Sequence, residues 1–213
     1  MARRTKEDAA ATRQQILDSA ERVFAAKGLA HSTMADIAAD AGVSRGAVYW
    51  HFDSKNAVFQ AILDRDYDAK RLVCARSQAP QASAPLGRIR ETHVHFLQRV
   101  VEDPQQRRVS EILAHKCELA GELEDLRRLL QETHAESLQG IALSLSNAVQ
   151  RGQLPADLHL QRAAFALHAY MHGLIDNWLL HPDSYPLAEE SEALVDALLG
   201  MLRYSPALRR PPA

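Results

Sequence analysis

The sequence predicts an all-α protein of about nine helices in two blocks, a first block of three short helices and a second block of six that form a bundle. Apolar residues make up 46% of the chain and recur with helical periodicity. The 9 prolines among the 213 residues stand at the ends of the periodic segments or between them. No segment has the alternating pattern of a half-buried strand, so an all-helical fold is favoured.

Composition and charge restrict the functional class. The formal net charge is −2, so any contact with nucleic acid must be local. The first six residues concentrate three positive charges without a following apolar run, which indicates a basic arm and not a signal peptide. The longest uncharged stretches, 137–150 and 163–175, are shorter than the roughly 20 apolar residues of a membrane span. Cys74 and Cys117 lack CxxC spacing, which fits a reducing compartment better than a disulfide framework. Because no membrane span is predicted either, we expect a cytoplasmic protein without a membrane partner.

The first two helices have clear start and stop signals. The first helix is predicted from Thr12, because an apolar stripe beginning at Ile16 continues at i+1, i+4, i+7 and i+8, and it is expected to end at Gly28. Thr33 precedes a second, short helix in a capping-box pattern. Gly42 is expected to end that helix, because glycine tolerates the backbone conformation of a tight turn.

The next helices follow with equally local signals. Ser44 is an N-cap residue for a third helix that continues to Phe52. Ser54 opens a fourth, longer helix to about Arg76, and the Pro-, Ala- and Ser-rich segment 78–85 is a loop by composition. The remaining helices are predicted over residues 86–102, 104–117, 122–151, 161–181 and 187–204.

Residues 33–52 have the pattern of a helix-turn-helix, in which two short helices are joined by a glycine turn. This motif needs a small residue where the helices cross, a residue tolerant of positive φ in the turn and an apolar residue that fixes the turn to the core. Ala38, Gly42 and Val43 stand at these three positions. The second helix of the motif then directs Val48 inward.

The outward face of that second helix suits double-stranded DNA. Arg45 can form a bidentate contact with a guanine edge, Ala47 can contact a thymine methyl group, and Gly46 allows close approach of the backbone. Hydroxyl and amide groups at helix N-termini bind phosphates well. On spacing alone, a three-helix unit that only packs against its neighbour remains an alternative. The residues predicted to contact DNA are Thr33, Ser44, Arg45, Gly46, Ala47, Tyr49, Trp50, His51 and Lys55.

Residues 16–55, and above all 42–55, closely resemble the DNA-binding domain of the TetR family of transcriptional repressors. The segments 2–7, 107–117 and 201–208 resemble the subgroup of that family represented by AcrR and TtgR, and this resemblance extends over nearly the whole chain. The matching residues of the DNA-binding domain include Thr33, Gly42, Gly46, Tyr49, His51, Phe52 and Lys55.

This resemblance implies a repressor of an RND-type multidrug efflux operon that hydrophobic small molecules, such as antibiotics, release from DNA. It further implies a DNA-binding domain over residues 1–53, a ligand-binding and dimerisation domain over 54–213, and a homodimer on a palindromic or pseudo-palindromic operator.

If the second block encloses a ligand, apolar stripes on several helices would line the pocket, although such stripes are equally typical of an ordinary core. Ser110, Ala114 and His172 depart from the larger or acidic polar residues of that subgroup, so its ligand preference does not transfer to this chain. An imidazole at position 172 favours planar, hydrogen-bonding compounds over cations. The predicted ligand-binding residues are Tyr67, Cys74, Phe96, Ser110, Leu113, Ala114, Ser137, Ile141, His168, Met171, His172 and Ile175.

Two long apolar faces lie near the C-terminus, one of which can serve the core and the other a partner chain. The residues predicted for the dimer interface are Tyr170, Leu174, Trp178, Leu194, Leu198, Met201 and Leu202.

A metal- or redox-responsive regulator is the alternative function. His168 and His172 share a helical face, with His115 and Cys117 as conceivable partners, but no third ligand stands at a diagnostic spacing. Cys74 and Cys117 lie among apolar neighbours, which disfavours a reactive thiolate. We therefore predict no metal and no cofactor. An enzyme is not predicted, because the sequence has no Ser/His/Asp, phosphate-loop or paired-carboxylate arrangement.

Overall fold

The computed structural model describes residues 2–65, 84–116 and 124–211, with side chains described for 6–65, 84–116 and 127–211. Apart from an isolated β-bridge between Leu158 and Arg209, the described residues contain no strand, and the all-α prediction is confirmed. The helices are α1 (Ala2–Lys27), α2 (Met34–Asp40), α3 (Arg45–His51), α4 (described over 55–65), α5 (Pro85–Glu102), α6 (Pro104–Glu111, continued by a π-helical segment, Ile112–Lys116), α7 (Glu124–Gln150), α8 (Leu160–Leu180) and α9 (Ser191–Tyr204).

The predicted helix ends of the N-terminal region are confirmed by their geometry. Gly28 and Gly42 have φ values of +79° and +64°, which fit glycine in the left-handed region. The Thr33 hydroxyl accepts a hydrogen bond from the Asp36 amide at 3.1 Å, and the Asp36 carboxylate accepts one from the Thr33 amide at 2.9 Å. Hydrogen bonds from Lys27 and Thr33 lower the pKa of Asp36 to about 2, so this capping box keeps its charge at neutral pH.

Helix α1 begins earlier than predicted. It is already helical at Ala2, so the basic residues at positions 3, 4 and 6 belong to the helix and do not form a separate arm. The local reason is the absence of glycine and proline from residues 1–27, together with the strong helix formers in this stretch.

The contacts divide the described chain into two compact units. The first comprises Met1–Asp68 and Pro104–Arg128, and the second comprises Ala69–Asp103 and Leu129–Ala213. The predicted sequence boundary between residues 53 and 54 stays a prediction, because packing groups α6 with the N-terminal helices.

The first unit is built on fully buried side chains of α1, α3 and α4, among them Leu17, Val48 and Ile62. Phe24 and Phe59 meet edge to face, with ring centroids 5.9 Å apart, a favourable arrangement for aromatic pairs. The buried side chain of Val48 packs the inward face of α3 into this core.

Helix α6 joins the first unit through a feature that the sequence did not predict. Its last residues, Ile112–Lys116, form a π-helical segment, and the carbonyl of Lys116 accepts a hydrogen bond from the amide of Leu29 at 3.1 Å. Because Leu29 lies in the turn after α1, this bond ties the end of α6 to the connection between α1 and α2.

The second unit contains α5, α7, α8 and α9 around one hydrophobic core. Leu97, Leu145 and Val195 are fully buried in it. Arg90 of α5 pairs with Asp196 at 2.6 Å and with Glu192 at 2.9 Å, both on α9. Within the described ranges, no helix combines the length and apolar character needed to cross a membrane.

Candidate DNA-binding face and ligand-binding positions

Helix α3 turns one face to the core of the first unit and the other to solvent. Val48 is fully buried, whereas Trp50 on the outer face keeps 73% of its surface exposed. A helix that enters the major groove needs such an accessible face. The predicted members of this face are all exposed or half-buried, and they are Arg45, Gly46, Ala47, Tyr49, Trp50 and His51.

Thr33, Ser44 and Lys55 hold the frame of the helix-turn-helix. The Thr33 hydroxyl donates to the Asp36 carboxylate at 2.7 Å, and the Ser44 hydroxyl accepts from the Ala47 amide at 3.1 Å. The Lys55 ammonium donates to the carbonyls of Ala30 and Ser32 at 3.0 and 2.9 Å. These contacts fix the start of each helix, and phosphate binding by the three residues stays a prediction.

The imidazole of His51 at the end of α3 has a pKa below its ordinary value. Burial lowers the pKa of its imidazole, and the positive charge of Arg13 lowers it further. The Trp50 and His51 rings are 4.5 Å apart, edge to face, and the Arg13 guanidinium lies 5.0 Å from the centre of the Phe52 ring. In its neutral form, this imidazole can approach DNA as a hydrogen-bonding group.

The predicted ligand-binding residues fall in both units. Ser110 is buried, Leu113 is half-buried and Ala114 is exposed, all in the first unit. Tyr67 and Cys74 lie outside the described residues. The remaining predicted positions, in the second unit, are Phe96, Ser137, Ile141, His168, Met171, His172 and Ile175.

Within the second unit, these positions separate into a core group and a histidine group. Met171 and Ile175 are buried members of the hydrophobic core, and Phe96 and Ile141 pack against that core while partly exposed. Ser137 is half-buried on α7. The structure thus shows the apolar positions as packed side chains, and their contact with a ligand stays a prediction.

Three imidazoles form a contact group on α7 and α8. The rings of His168 and His172 stack at 4.1 Å, and the ring of His134 meets His168 edge to face at 4.6 Å. Burial, assisted by His172, His134 and His93, lowers the pKa of His168 to about 4. His134 was not predicted, because it lies on a different helix and only folding brings it to His168.

The rings of the histidine group are not arranged as ligands of one shared metal ion. Among the described residues, no set of three or more histidine, cysteine, aspartate or glutamate side chains could hold a metal ion. His168 and His172 contact each other through their ring faces, whereas a shared metal requires converging nitrogen atoms. Cys117, the predicted thiol partner, lies outside the described residues.

Replacing His168 with phenylalanine is expected to reduce the loss of stability in acid. The pKa of His168 is lower in the folded chain than its ordinary value of 6.5, so the unfolded chain binds more protons as the pH falls from about 7 toward 4. After a discount for solvent screening, His168 accounts for about 1–2 kcal/mol of that loss. Chemical unfolding at pH 7 and pH 4.5 measures it, with the exposed His181→Phe as the matched control. Equal acid sensitivity of His168→Phe and the wild-type protein would contradict this assignment.

The structure corrects part of the predicted dimer interface. Trp178, Leu198 and Leu202 are buried inside the second unit, with Leu198 only 1% exposed, so their side chains cannot reach a partner. The other four predicted residues, Tyr170, Leu174, Leu194 and Met201, are partly buried against the same core. Sequence periodicity located the apolar faces of α8 and α9, but three of the residues that it assigned to the partner point into the core. Contact of the other four with a partner stays a prediction.

A different face of α8 and α9 is open. Phe165 and Tyr204 are 59% and 78% exposed, and Ala193 and Ala197 are exposed between the ends of α9. A methyl group added at Gly200 would meet no atom within 4 Å. Small and large apolar residues thus occupy an outer surface, which we call the α8–α9 face. It is defined by Phe165, Ala169, Gly173, Leu180, Ala193, Ala197, Gly200 and Tyr204.

Two family models match the chain. The model described as bacterial regulatory proteins, tetR family, matches residues 16–62, and the model described as MAATS-type transcriptional repressor, C-terminal region, matches residues 84–204. Both describe transcriptional regulators. The HTH-type transcriptional regulator TtgR of Pseudomonas putida is 46% identical over 210 residues, which is 99% of this chain and 100% of TtgR.

Solved structures agree with these matches. NalD, the secondary repressor of the MexAB-OprM multidrug efflux pump in Pseudomonas aeruginosa, is similar with a TM-score of 0.80 and 28% identity, covering 93% of this chain and 99% of NalD. SmeT in complex with triclosan is similar with a TM-score of 0.84 and 28% identity, covering 95% of this chain and 99% of SmeT. SmeT is the repressor of the SmeDEF multidrug efflux pump of Stenotrophomonas maltophilia.

Proposed function

We propose how operator binding, release and dimerisation are distributed over the helices of this chain, which belongs to the TetR family of bacterial transcriptional regulators. The chain is a DNA-binding repressor of a multidrug efflux operon, and hydrophobic small molecules such as antibiotics release it. One observation carries this function: a helix-turn-helix with an exposed second helix stands in a chain 46% identical to TtgR over 99% of its length.

Helix α3 reads the operator in the major groove. Arg45 at its first turn contacts a guanine, and Gly46 lets the backbone approach. A methyl group added at Gly46 would meet only the Ser44 hydroxyl, at 3.8 Å, so the folded chain itself does not demand glycine at this position. This freedom supports a role for Gly46 at the DNA surface. Binding to operator DNA also agrees with the cytoplasmic location expected from the sequence.

Arg45→Ala is expected to weaken operator binding about 5- to 150-fold while leaving binding to random DNA nearly unchanged. The reason is that a bidentate contact to a base edge carries sequence discrimination, whereas phosphate contacts do not. Fluorescence anisotropy on operator and scrambled duplexes measures both affinities. The matched control is Arg22→Ala, which also removes a positive charge from the first unit but from a side chain paired with Asp40. Equal losses on the two duplexes would exclude a reading role for Arg45.

The α8–α9 face forms the homodimer in this proposal. Its alanine and glycine residues allow two pairs of helices to approach closely. Phe165 and Tyr204 supply apolar area near the end where the start of α8 lies beside the end of α9. A twofold dimer presents two α3 helices, which fits a palindromic or pseudo-palindromic operator.

Release by ligand is a population shift in this proposal. A bound hydrophobic compound favours a state in which the two α3 helices no longer match successive major grooves. A coupling of about 1–3 kcal/mol between the two sites lowers operator affinity about 5- to 150-fold.

Fluorescence anisotropy of the purified protein on the DNA upstream of its own gene tests the proposal. The titration is made at two salt concentrations, without and with triclosan, hydrophobic antibiotics and plant phenolics. Sequence-specific binding that one of these compounds relieves is expected. Specific binding that none of them alters would contradict the ligand-responsive part and leave the DNA-binding part in place.

A further inference from the structure

A carboxylate is buried in the first unit at a position that operator binding does not use. Glu21 of α1 has a side chain that is only 1% exposed, beside the fully buried Ala20. Removing a carboxylate from water costs several kcal/mol unless charged and hydrogen-bonding partners compensate. Position 21 lies on the apolar face of α1, four residues after Leu17 and three before Phe24, so an acid at this place calls for a physical explanation.

Glu21 connects three helices. Its Oε1 atom accepts hydrogen bonds from the Arg65 guanidinium of α4 and from Nε2 of Gln105 of α6, the latter at 3.3 Å. Arg65 also pairs with the more exposed Asp18 of α1 at 2.7 Å. The interactions that stabilise the buried Glu21 carboxylate therefore depend on the packing of α4 and α6 against α1.

The second oxygen of the carboxylate is without a partner. In the described part of the chain, Oε2 of Glu21 and Nε of Arg108 on α6 are buried and have no hydrogen-bond partner. Burial raises the pKa of Glu21, whereas the charges of Arg65 and Arg108 lower it, so Arg108 lies within electrostatic reach. Within the described residues, the unpartnered acceptor, Oε2 of Glu21, lies on α1, and the unpartnered donor, Nε of Arg108, lies on α6. A shift of α6 against α1 can thus change which side chains bind the Glu21 carboxylate.

A displacement of helix α6 would change the partners of the Glu21 carboxylate. It carries Ser110, Leu113 and Ala114, predicted to contact ligand, only two to six residues beyond Arg108. A helix transmits a displacement along its length, because its backbone hydrogen bonds keep it stiff. The end of its π-helical segment is bonded to Leu29, so α6 meets the DNA-binding helices at both ends.

We propose that Glu21 is a positioning residue that couples ligand binding on α6 to operator binding, an inference that rests on the proposed function. In the operator-binding state, Oε1 is held by Arg65 and Gln105. In the ligand-bound state, displacement of α6 withdraws Gln105 and offers Arg108 to Oε2. The buried charge thus has two discrete arrangements, and the difference in its interactions between them contributes to the coupling.

Glu21→Gln tests this inference, because it keeps the size of the side chain and removes its charge. The quantity measured is the ratio of operator Kd values with and without triclosan, or with the panel compound that releases the wild-type protein most strongly. We expect this ratio to fall by about five- to tenfold in the variant, since a neutral amide interacts with Arg65 and Arg108 weakly in both states. Operator Kd without compound, and compound Kd without DNA, stay within about threefold of wild type.

Asp18→Asn is the matched control, an equivalent change on the same helix and beside the same Arg65 but at a more exposed carboxylate. It is expected to keep the wild-type ratio. A purely structural role for Glu21 would change the melting temperature while leaving the ratio intact. Gln105→Met, which removes the α6 partner, is expected to reduce the ratio as well, and it decides the question if Glu21→Gln does not fold.

The outcomes are distinct. A wild-type ratio in a folded Glu21→Gln variant, or in Gln105→Met if that variant must decide, overturns this inference alone. An equal fall of the ratio in Asp18→Asn overturns it too, because the effect then reflects general electrostatics. A wild-type protein that no compound releases contradicts the proposed function, and this inference with it.

Discussion

Leu198→Arg is expected to unfold the C-terminal helices. Leu198 is 1% exposed in the core of the second unit, so the substitution places a guanidinium among apolar side chains without an acceptor. An unpaired buried charge costs several kcal/mol, and the lost packing of leucine adds about 2–5 kcal/mol, whereas a domain of this kind has about 5–15 kcal/mol of stability in total. Thermal unfolding followed by circular dichroism measures the effect.

Leu198→Met is the matched control for substitution at this position. It keeps the volume and apolar character, and it is expected to cost less than about 1.5 kcal/mol. A folded Leu198→Arg protein with a normal melting temperature would show that this side chain is not in the core. If that variant were in addition monomeric, the dimer interface predicted from the sequence would be restored.

Ala197→Arg, one residue away, is expected to have the opposite pattern. Ala197 is exposed, and arginine is a good helix former, so the variant folds with little change in melting temperature. On the α8–α9 face, however, the new side chain puts bulk and like charges between two close helices. We expect a monomer by light scattering and a loss of operator affinity of about 100-fold or more, because a monomer contacts one half-site only.

Two controls define the cause. Gln139→Arg adds the same charge at an exposed position of α7, outside the α8–α9 face, and is expected to remain dimeric with normal operator binding. Ala197→Ser changes the same position without bulk or charge and is expected to behave as wild type. A dimeric Ala197→Arg protein with wild-type operator affinity would exclude the α8–α9 face as the interface.

Local chemistry determined the helix-turn-helix from the sequence. The Thr33 capping box, the Ser44 cap and the positive φ angles at Gly28 and Gly42 depend on residues a few positions apart, and the structure shows all of them as predicted. The inward position of Val48 is equally local, because it follows from helical period once the ends of α3 are known. The side chains on the outward face of α3 could therefore be predicted without a structure.

Contacts between distant segments could not be predicted in this way. The periodicity of α8 and α9 shows which faces are apolar, but not which of them meets the other helices, and so Leu198 was assigned to a partner that it cannot reach. His134 and His168 are 34 positions apart in the sequence, and only the packing of α7 on α8 brings their rings together. The π-helical turn of α6 likewise has no sequence signal of its own.

The sequence by itself determined the all-helical class, the turns and caps of the helix-turn-helix, the outward face of α3 and the family. Each of these depends on spacing within one or two helical turns, where the geometry is the same in every protein. Only the tertiary structure decided which apolar face is outermost, that a π-helical segment bonds to Leu29, and that Glu21 is buried between Arg65 and Gln105. Burial is a property of the assembled chain, because the environment of a side chain is made by residues far from it in sequence.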